Sequence, residues 1–241
     1  MSVSPLREAL WVSALATVAI FLLWNVGAKI PIVGEYLGAL VTAVFLVFPA
    51  IVAWRNDEEL ADYGLTWQPI ARGLAFAVGV SIVVFPLFLG GFVWFYQTVC
   101  ARGPFSRIAP PGFCQHFFGW AALSQPRVGR DLASFAFNQL VAVGLPEELF
   151  FRGYLLLRLE EALPPRRRFL GGGLGLALVL SAAIFALAHV LGEFDARRLA
   201  VFFPGLLFGW MRSATGSILA STIVHAASNL YIDVLHRTFF Q

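Results

Sequence analysis

The sequence predicts an all-α fold, a polytopic membrane helix bundle of about seven transmembrane helices. Two observations lead to this prediction. Of the 241 residues, 59% are hydrophobic and only 13% are charged, whereas soluble domains have about 25% charged residues. The sequence also contains several uncharged windows of ~20 residues, the length at which a helix spans a bilayer. We expect helices in these windows because a lipid-exposed backbone has to form its hydrogen bonds internally.

The uncharged windows define the predicted elements in chain order. They cover residues 9–28, 36–54, 73–100, 132–157, 169–192, 199–211 and 213–232. The first window is too long for the apolar region of a typical signal peptide, and Trp54 ends the second as an interfacial anchor. The third is long enough to tilt or to kink at Pro86. The sixth has 13 residues, or roughly 20 Å of helix, so it is too short to cross the membrane unaided.

Length and charge limit the domain organisation and the partners. The chain has room for one membrane-embedded domain, residues 1–241, and for no separate soluble domain. The net charge of +3 is small and spread over loops, so no nucleic-acid partner is expected. With seven spans, arginines and lysines divide almost evenly between the two sides of the membrane, so the orientation depends on the arginine cluster at 166–168 alone, which favours a cytoplasmic loop. This orientation places the loop 101–131 outside, where Cys100 and Cys114 either form a disulfide or remain two free thiols.

A small set of polar residues interrupts the late apolar windows. Ionisable groups at membrane depth are costly and usually functional. The polar residues come from three helices that are otherwise apolar, so each polar side chain should face the interior of the bundle. We therefore expect the polar residues of the three helices to meet at one site. The polar residues are Glu147, Glu148, Arg152, His189, His225 and Asn229.

Helical spacing separates the two adjacent acids. Glu148 and Arg152 are at positions i and i+4, in the order that favours an ion pair. Glu147 lies about 100° further round the helix, so it has no local cation and is free to meet another helix. Pro146 lacks an N–H group and disturbs the preceding turn, which predicts a kink or a restart of the helix there.

The residue types suit amide hydrolysis. A Glu and a His together can deprotonate a water, and His225 and Asn229, one turn apart on one face, can donate hydrogen bonds to a developing oxyanion. A zinc site made by one Glu and two His is the alternative. However, the sequence contains no H-E-x-x-H motif, and "HVLGE" at 189–193 spaces its His and Glu differently. We therefore predict no metal and no cofactor.

Three motifs resemble a known family. "EELFFR" at 147–152 matches E-E-x-x-x-R, "FALAH" at 185–189 matches F-x-x-x-H, and "HAASN" at 225–229 matches H-x-x-x-N. In this order, on successive late helices, they resemble the CPBP family, also called ABI, of CAAX prenyl endopeptidases and bacteriocin-processing or immunity proteins. The similarity covers roughly residues 132–232. Some bacterial branches of this family, such as the myxosortase-like enzymes, act on C-terminal sorting tails, but no motif in this sequence identifies that branch.

The resemblance implies roles for the motif residues. Glu147 matches the general base that activates water, and His189 matches the histidine that shares this water. His225 and Asn229 match the pair assigned to the oxyanion hole. Glu148 and Arg152 match the second acid and the arginine of the family motif, which suggests a structural pair. We expect Phe185 to contribute to packing.

The resemblance implies a multi-pass intramembrane endopeptidase of the bacterial inner membrane. Its partners would be the lipid bilayer and a protein or peptide substrate, cut near a C-terminal tail or membrane anchor. The alternative is a non-enzymatic immunity or scaffold protein that binds a peptide or a partner. A small transporter with a proton relay is a third hypothesis, but transporters often have internal repeats, and none is visible in the sequence.

Overall fold

The computed structural model describes residues 4–100 and 113–240, so the loop predicted at 101–131 is described only from residue 113 onward. Within these ranges the fold is a nearly all-α bundle, and this confirms the predicted fold class. The helices are α1 Pro5–Asn25, α2 Pro31–Glu35, α3 Leu37–Arg55, α4 Ile70–Cys100, α5 Leu132–Asn138, α6 Leu145–Glu148, α7 Leu156–Ala162, α8 Leu176–Glu193, α9 Phe202–Thr215 and α10 Leu219–Phe239. Two short antiparallel strands, β1 Arg167–Phe169 and β2 Gly172–Leu174, form a hairpin.

The predicted spans correspond to these helices, but two of them were predicted to begin too early. The seventh was predicted to begin at residue 213, whereas α9 extends to Thr215 and α10 begins at Leu219. In the described part of the chain, three helices are long and apolar enough to cross a membrane: Pro5–Lys29, Leu37–Arg55 and Ile70–Cys100. The fifth span was predicted to begin at residue 169, but β1 and β2 occupy 167–174 and α8 begins at Leu176. Gly171 has a φ of 87°, which glycine adopts without steric cost, and this turn separates the strands. As expected, α9 is short, with 14 residues.

The helix with the two acids, residues 132–162, is named here the motif helix. It consists of α5, α6 and α7 joined by two π-helical segments, Gln139–Gly144 and Leu149–Leu155. The sequence predicted a kink or a restart of the helix at Pro146. The restart is wrong, because the backbone before and after α6 keeps helical torsion angles. The wider π turns instead lie on both sides of Pro146. π-helical turns are rare in proteins overall, and those that do occur are frequently found at functional sites.

The bundle has two distinct ends. At one end, named here the hairpin face, the loop 56–69 and the β-hairpin meet the end of α9 and the start of α10. The indole N–H of Trp210 donates to the Phe169 carbonyl over 2.8 Å, and the Ile218 N–H donates to the Gly64 carbonyl over 2.9 Å. These contacts pack the hairpin face closely.

The opposite end, named here the disulfide face, contains the end of α4 and the segments 113–131 and 194–201. Cys100 and Cys114 form a disulfide bond with a Cα–Cα distance of 5.4 Å. This resolves the alternative that the sequence left open. The segment after Cys114 is also attached to the end of α10, where the Phe118 N–H donates to the Phe239 carbonyl over 3.0 Å.

Contacts with the N-terminal helices hold the motif helix in place. Near the hairpin face, Arg158 forms salt bridges with Glu8 of α1, with Glu58 of the loop 56–69 and with Glu161 of its own helix. Further along, the Thr42 hydroxyl of α3 donates to the Ala142 carbonyl over 2.6 Å. The motif helix is therefore attached to α1 and α3 on one side, which leaves its other side for α8, α9 and α10.

Candidate active site

Three helices bring an acid and two histidines together. Glu147 lies on α6, His189 near the end of α8 and His225 on α10. The Glu147 Oε2 atom is 3.8 Å from the Nε2 atom of His189 and 3.8 Å from the Nε2 atom of His225. Both distances are too long for a direct hydrogen bond. A polar gap of this size is suited to a bridging water.

The other ring nitrogen of each histidine is already bonded. His189 Nδ1 is 2.9 Å from the Phe185 carbonyl oxygen, which can only accept, so Nδ1 carries the proton. His225 Nδ1 is 2.9 Å from Glu148 Oε1, and it donates to this carboxylate for the same reason. In the neutral form, both histidines therefore present an unprotonated Nε2 towards Glu147.

Glu148 is the buried centre of the site. Its side chain is 0% exposed and that of Arg152 is 1% exposed, and Arg152 Nη1 is 3.1 Å from Glu148 Oε1. The predicted ion pair is therefore confirmed. The same Oε1 atom accepts from His225, a contact that was not predicted, because nothing in the spacing of two residues on different helices indicates it.

Aromatic rings surround the buried charges. The Arg152 guanidinium lies 4.0 Å from the ring centroid of Phe185 and 5.3 Å from that of Phe208, within the range of cation–π attraction. Phe208 also stacks on the His225 ring at 5.1 Å, and Phe185 contacts the His189 ring at 4.5 Å. Phe185 thus packs as expected, and its backbone carbonyl additionally fixes the His189 tautomer.

A glycine permits the close approach of the motif helix to α10. A Cβ atom at Gly144 would lie 3.0 Å from the Gln139 carbonyl oxygen and 3.4 Å from that of Thr222. A side chain here would therefore push the two helices apart. The close approach brings Glu148 within hydrogen-bonding distance of His225, one turn beyond Thr222.

Asn229 does not contact the acids directly. Its side-chain amide Nδ2 donates to the Gln139 Oε1 atom over 2.7 Å. Gln139 is a site residue that the sequence interpretation missed, although it is a polar residue in the same apolar window as Glu147. The rule that selected the intramembrane polar set would have found it if neutral amides had been included throughout.

Among residues 4–100 and 113–240, no group of three or more His, Cys, Asp or Glu side chains is arranged to hold a metal ion. Glu147, His189 and His225 are the nearest to such a set. The arrangement instead brings one carboxylate oxygen within 3.8 Å of two imidazole nitrogens.

We predict that Glu148→Gln destabilises the protein much more than Glu147→Gln. Removing the Glu148 charge leaves Arg152 buried without its partner, and breaking a buried pair in this way costs ~3–5 kcal/mol. Glu147 forms no such pair with a permanent cation, so its amide variant should unfold close to wild type. Thermal unfolding of both variants in the same detergent measures the difference, and equal midpoints would contradict the structural role of Glu148.

Comparison with known proteins gives one family match. Residues 129–231 match the model of the family described as type II CAAX prenyl endopeptidase Rce1-like. Neither the curated proteins nor the solved structures contain a significant match. The match supports intramembrane endopeptidase activity and, together with the apolar helices, an integral membrane protein. Residues 129–231 are therefore similar to the type II CAAX prenyl endopeptidases, which is consistent with the predicted resemblance to the CPBP family.

Proposed function

We propose that the protein is a glutamate-type intramembrane endopeptidase in which Glu147 is the general base. The observation behind this proposal is the position of Glu147 Oε2. This buried oxygen faces two histidine Nε2 atoms at 3.8 Å, and within the described residues no group donates a hydrogen bond to it. An unsatisfied buried carboxylate oxygen is costly. A water that donates to Glu147 and to a histidine would remove this cost and become the nucleophile.

The proposed reaction needs one water and no covalent intermediate. The water oxygen attacks the carbonyl carbon of the scissile peptide bond while Glu147 takes one proton. The neutral His189 accepts the second hydrogen bond of the water through Nε2 and orients it. When the tetrahedral intermediate collapses, the C–N bond breaks and the leaving amine takes the proton from Glu147.

The proposed oxyanion donors are His225 and Asn229. Because His225 Nδ1 donates to Glu148, its Nε2 can donate only when the ring is an imidazolium. The Glu148 carboxylate at 2.9 Å stabilises that charge, in the way that a buried acid supports the histidine of a hydrolytic triad. Asn229 has two amide hydrogens, and Gln139 receives one of them, so the second remains for the oxyanion.

The proposed substrate is a polypeptide cut near its C-terminal tail or membrane anchor. The family is named for CAAX prenyl endopeptidases, and an unprenylated sorting tail, as in the myxosortase-like branch, is the second candidate substrate. We propose that hydrolysis needs no resident metal, since Glu147 and the histidines already supply the groups that activate water. A non-enzymatic immunity or scaffold role remains the alternative function, because the polar set alone does not require turnover.

We predict that Glu147→Gln lowers the cleavage rate by about 10²–10⁴, the usual contribution of a general base, without a loss of thermal stability. The assay uses purified protein in lipid nanodiscs with two probes, a farnesylated C-A-A-X peptide and an unprenylated peptide library. Cleavage is read by mass spectrometry of the new C-termini. Excess EDTA is expected to leave the wild-type rate unchanged.

The matched control is Glu35→Gln, an exposed acid at the end of α2. It should cleave at the wild-type rate. Full activity in Glu147→Gln would contradict the proposed base. If neither probe is cut by the wild type, while Glu147→Gln keeps the biological effect of the protein in cells, the binding function is the better account.

We also predict that Gln139 acts through Asn229. Gln139→Ala and Asn229→Ala should each lower kcat, because each removes the hydrogen bond that orients the Asn229 amide. In the double variant the effects should not add, since the two side chains act as one unit. A double-mutant cycle on kcat measures this coupling, and additive losses would show that Gln139 has a separate role.

A further inference from the structure

We infer that the site opens towards the disulfide face and that this face lies outside the cytoplasm. The substrate would then be a polypeptide tail that has already been moved across the membrane. This inference rests on the proposed function, and it goes beyond it by stating from which side the peptide arrives. Burial, depth and sidedness support it separately.

Burial differs sharply on the two sides of the catalytic residues. On the motif helix, every residue from Glu148 to Leu156 is buried, and on α10 four of the six positions before His225 are buried. Beyond Glu147 and His225, in the direction of the disulfide face, both helices become partly exposed, as at Val143 and Asn229. Among the described residues, the packing around Glu147 and His225 is therefore tighter towards the hairpin face than towards the disulfide face.

The depth of His189 gives the same direction. Helix α8 begins at Leu176 and ends at Glu193. His189 is therefore 13 residues from the start of the helix and four residues from its end. At 1.5 Å per residue these are about 20 Å and about 6 Å. The segment after α8 contains the exposed Asp195–Arg197 ion pair, which has to lie at the membrane interface. His189 is therefore about one helical turn below the interface of the disulfide face.

The ends of α8 and α9 place the site close to the disulfide face as well. Helix α9 begins only at Phe202, so both helices stop short on the disulfide face, and the 3₁₀ segment Ala196–Val201 connects them. Towards the hairpin face, α9 continues through the buried Phe208 and Met211.

Two observations assign the sides. A disulfide persists in an oxidising compartment, and the Cys100–Cys114 bond lies at the end of α4. The arginine cluster 166–168 lies at or beside the β-hairpin at the opposite end, and a basic cluster in a short loop favours the cytoplasmic side. Both place the disulfide face outside. The peptide bond that is cut would therefore lie about one turn below the outer interface, near the outer end of a membrane-anchored tail.

Cysteine labelling from each side of the membrane tests this inference independently of catalysis. Both native cysteines are disulfide-bonded, so an introduced cysteine is the single free thiol. The reporters are His189→Cys and Gln139→Cys for the site, Gln125→Cys for the disulfide face and Ala61→Cys for the hairpin face. Each variant is treated with a membrane-impermeant maleimide in intact spheroplasts and in inside-out vesicles.

The expected result is that both site reporters follow Gln125→Cys. In spheroplasts they should react at least about tenfold faster than Ala61→Cys, because a thiol reacts as its solvated thiolate, and in inside-out vesicles the order should reverse. Two site reporters guard against one variant that fails to fold. The inference would be overturned if the site reporters were labelled from the same side as Ala61→Cys, or if they were labelled from neither side. Failure of the proposed function is a separate result, namely full cleavage by Glu147→Gln.

Discussion

The Glu148 carboxylate is the interaction on which the rest of the site depends. One oxygen atom receives both the Arg152 guanidinium at 3.1 Å and the His225 ring at 2.9 Å, in a position that is fully buried. It therefore joins the motif helix to α10 and sets the orientation of the His225 ring. Charges buried at this depth are stable only with their partners in place, so the three residues fix one arrangement of the helices around Glu147.

This arrangement gives the two adjacent acids, Glu147 and Glu148, different surroundings. A helix turns by about 100° per residue, so Glu148 faces Arg152 and α10 while Glu147 faces the gap between α8 and α10. Glu148 thus has its charge compensated, whereas Glu147 keeps an oxygen without a donor among the described residues. The acid that stabilises the bundle is therefore the direct chain neighbour of the acid that we propose as the general base, at the point where the motif helix changes from fully buried to partly exposed.

Much of the fold and part of the site could be predicted from the sequence. Uncharged windows located the helices because hydropathy reports membrane burial directly, and the i, i+4 rule gave the Glu148–Arg152 pair. Hydropathy could not distinguish residues 169–174, which belong to the hairpin, from a helix, since these residues are as uncharged as the helix that follows them. The His225–Glu148 and Asn229–Gln139 contacts depend on how α10 packs against the motif helix, and no local rule contains that information. The catalytic roles themselves remain a proposal.

The central claim is that Glu147 activates a water and does not attack the peptide itself. A single turnover in water enriched in oxygen-18, with enzyme in excess over a cleaved peptide, tests this most directly. The account predicts one heavy oxygen in the new C-terminal carboxylate of the product and none in the peptide that contains Glu147. Heavy oxygen in the Glu147 side chain would reveal an acyl-enzyme anhydride and would contradict the account.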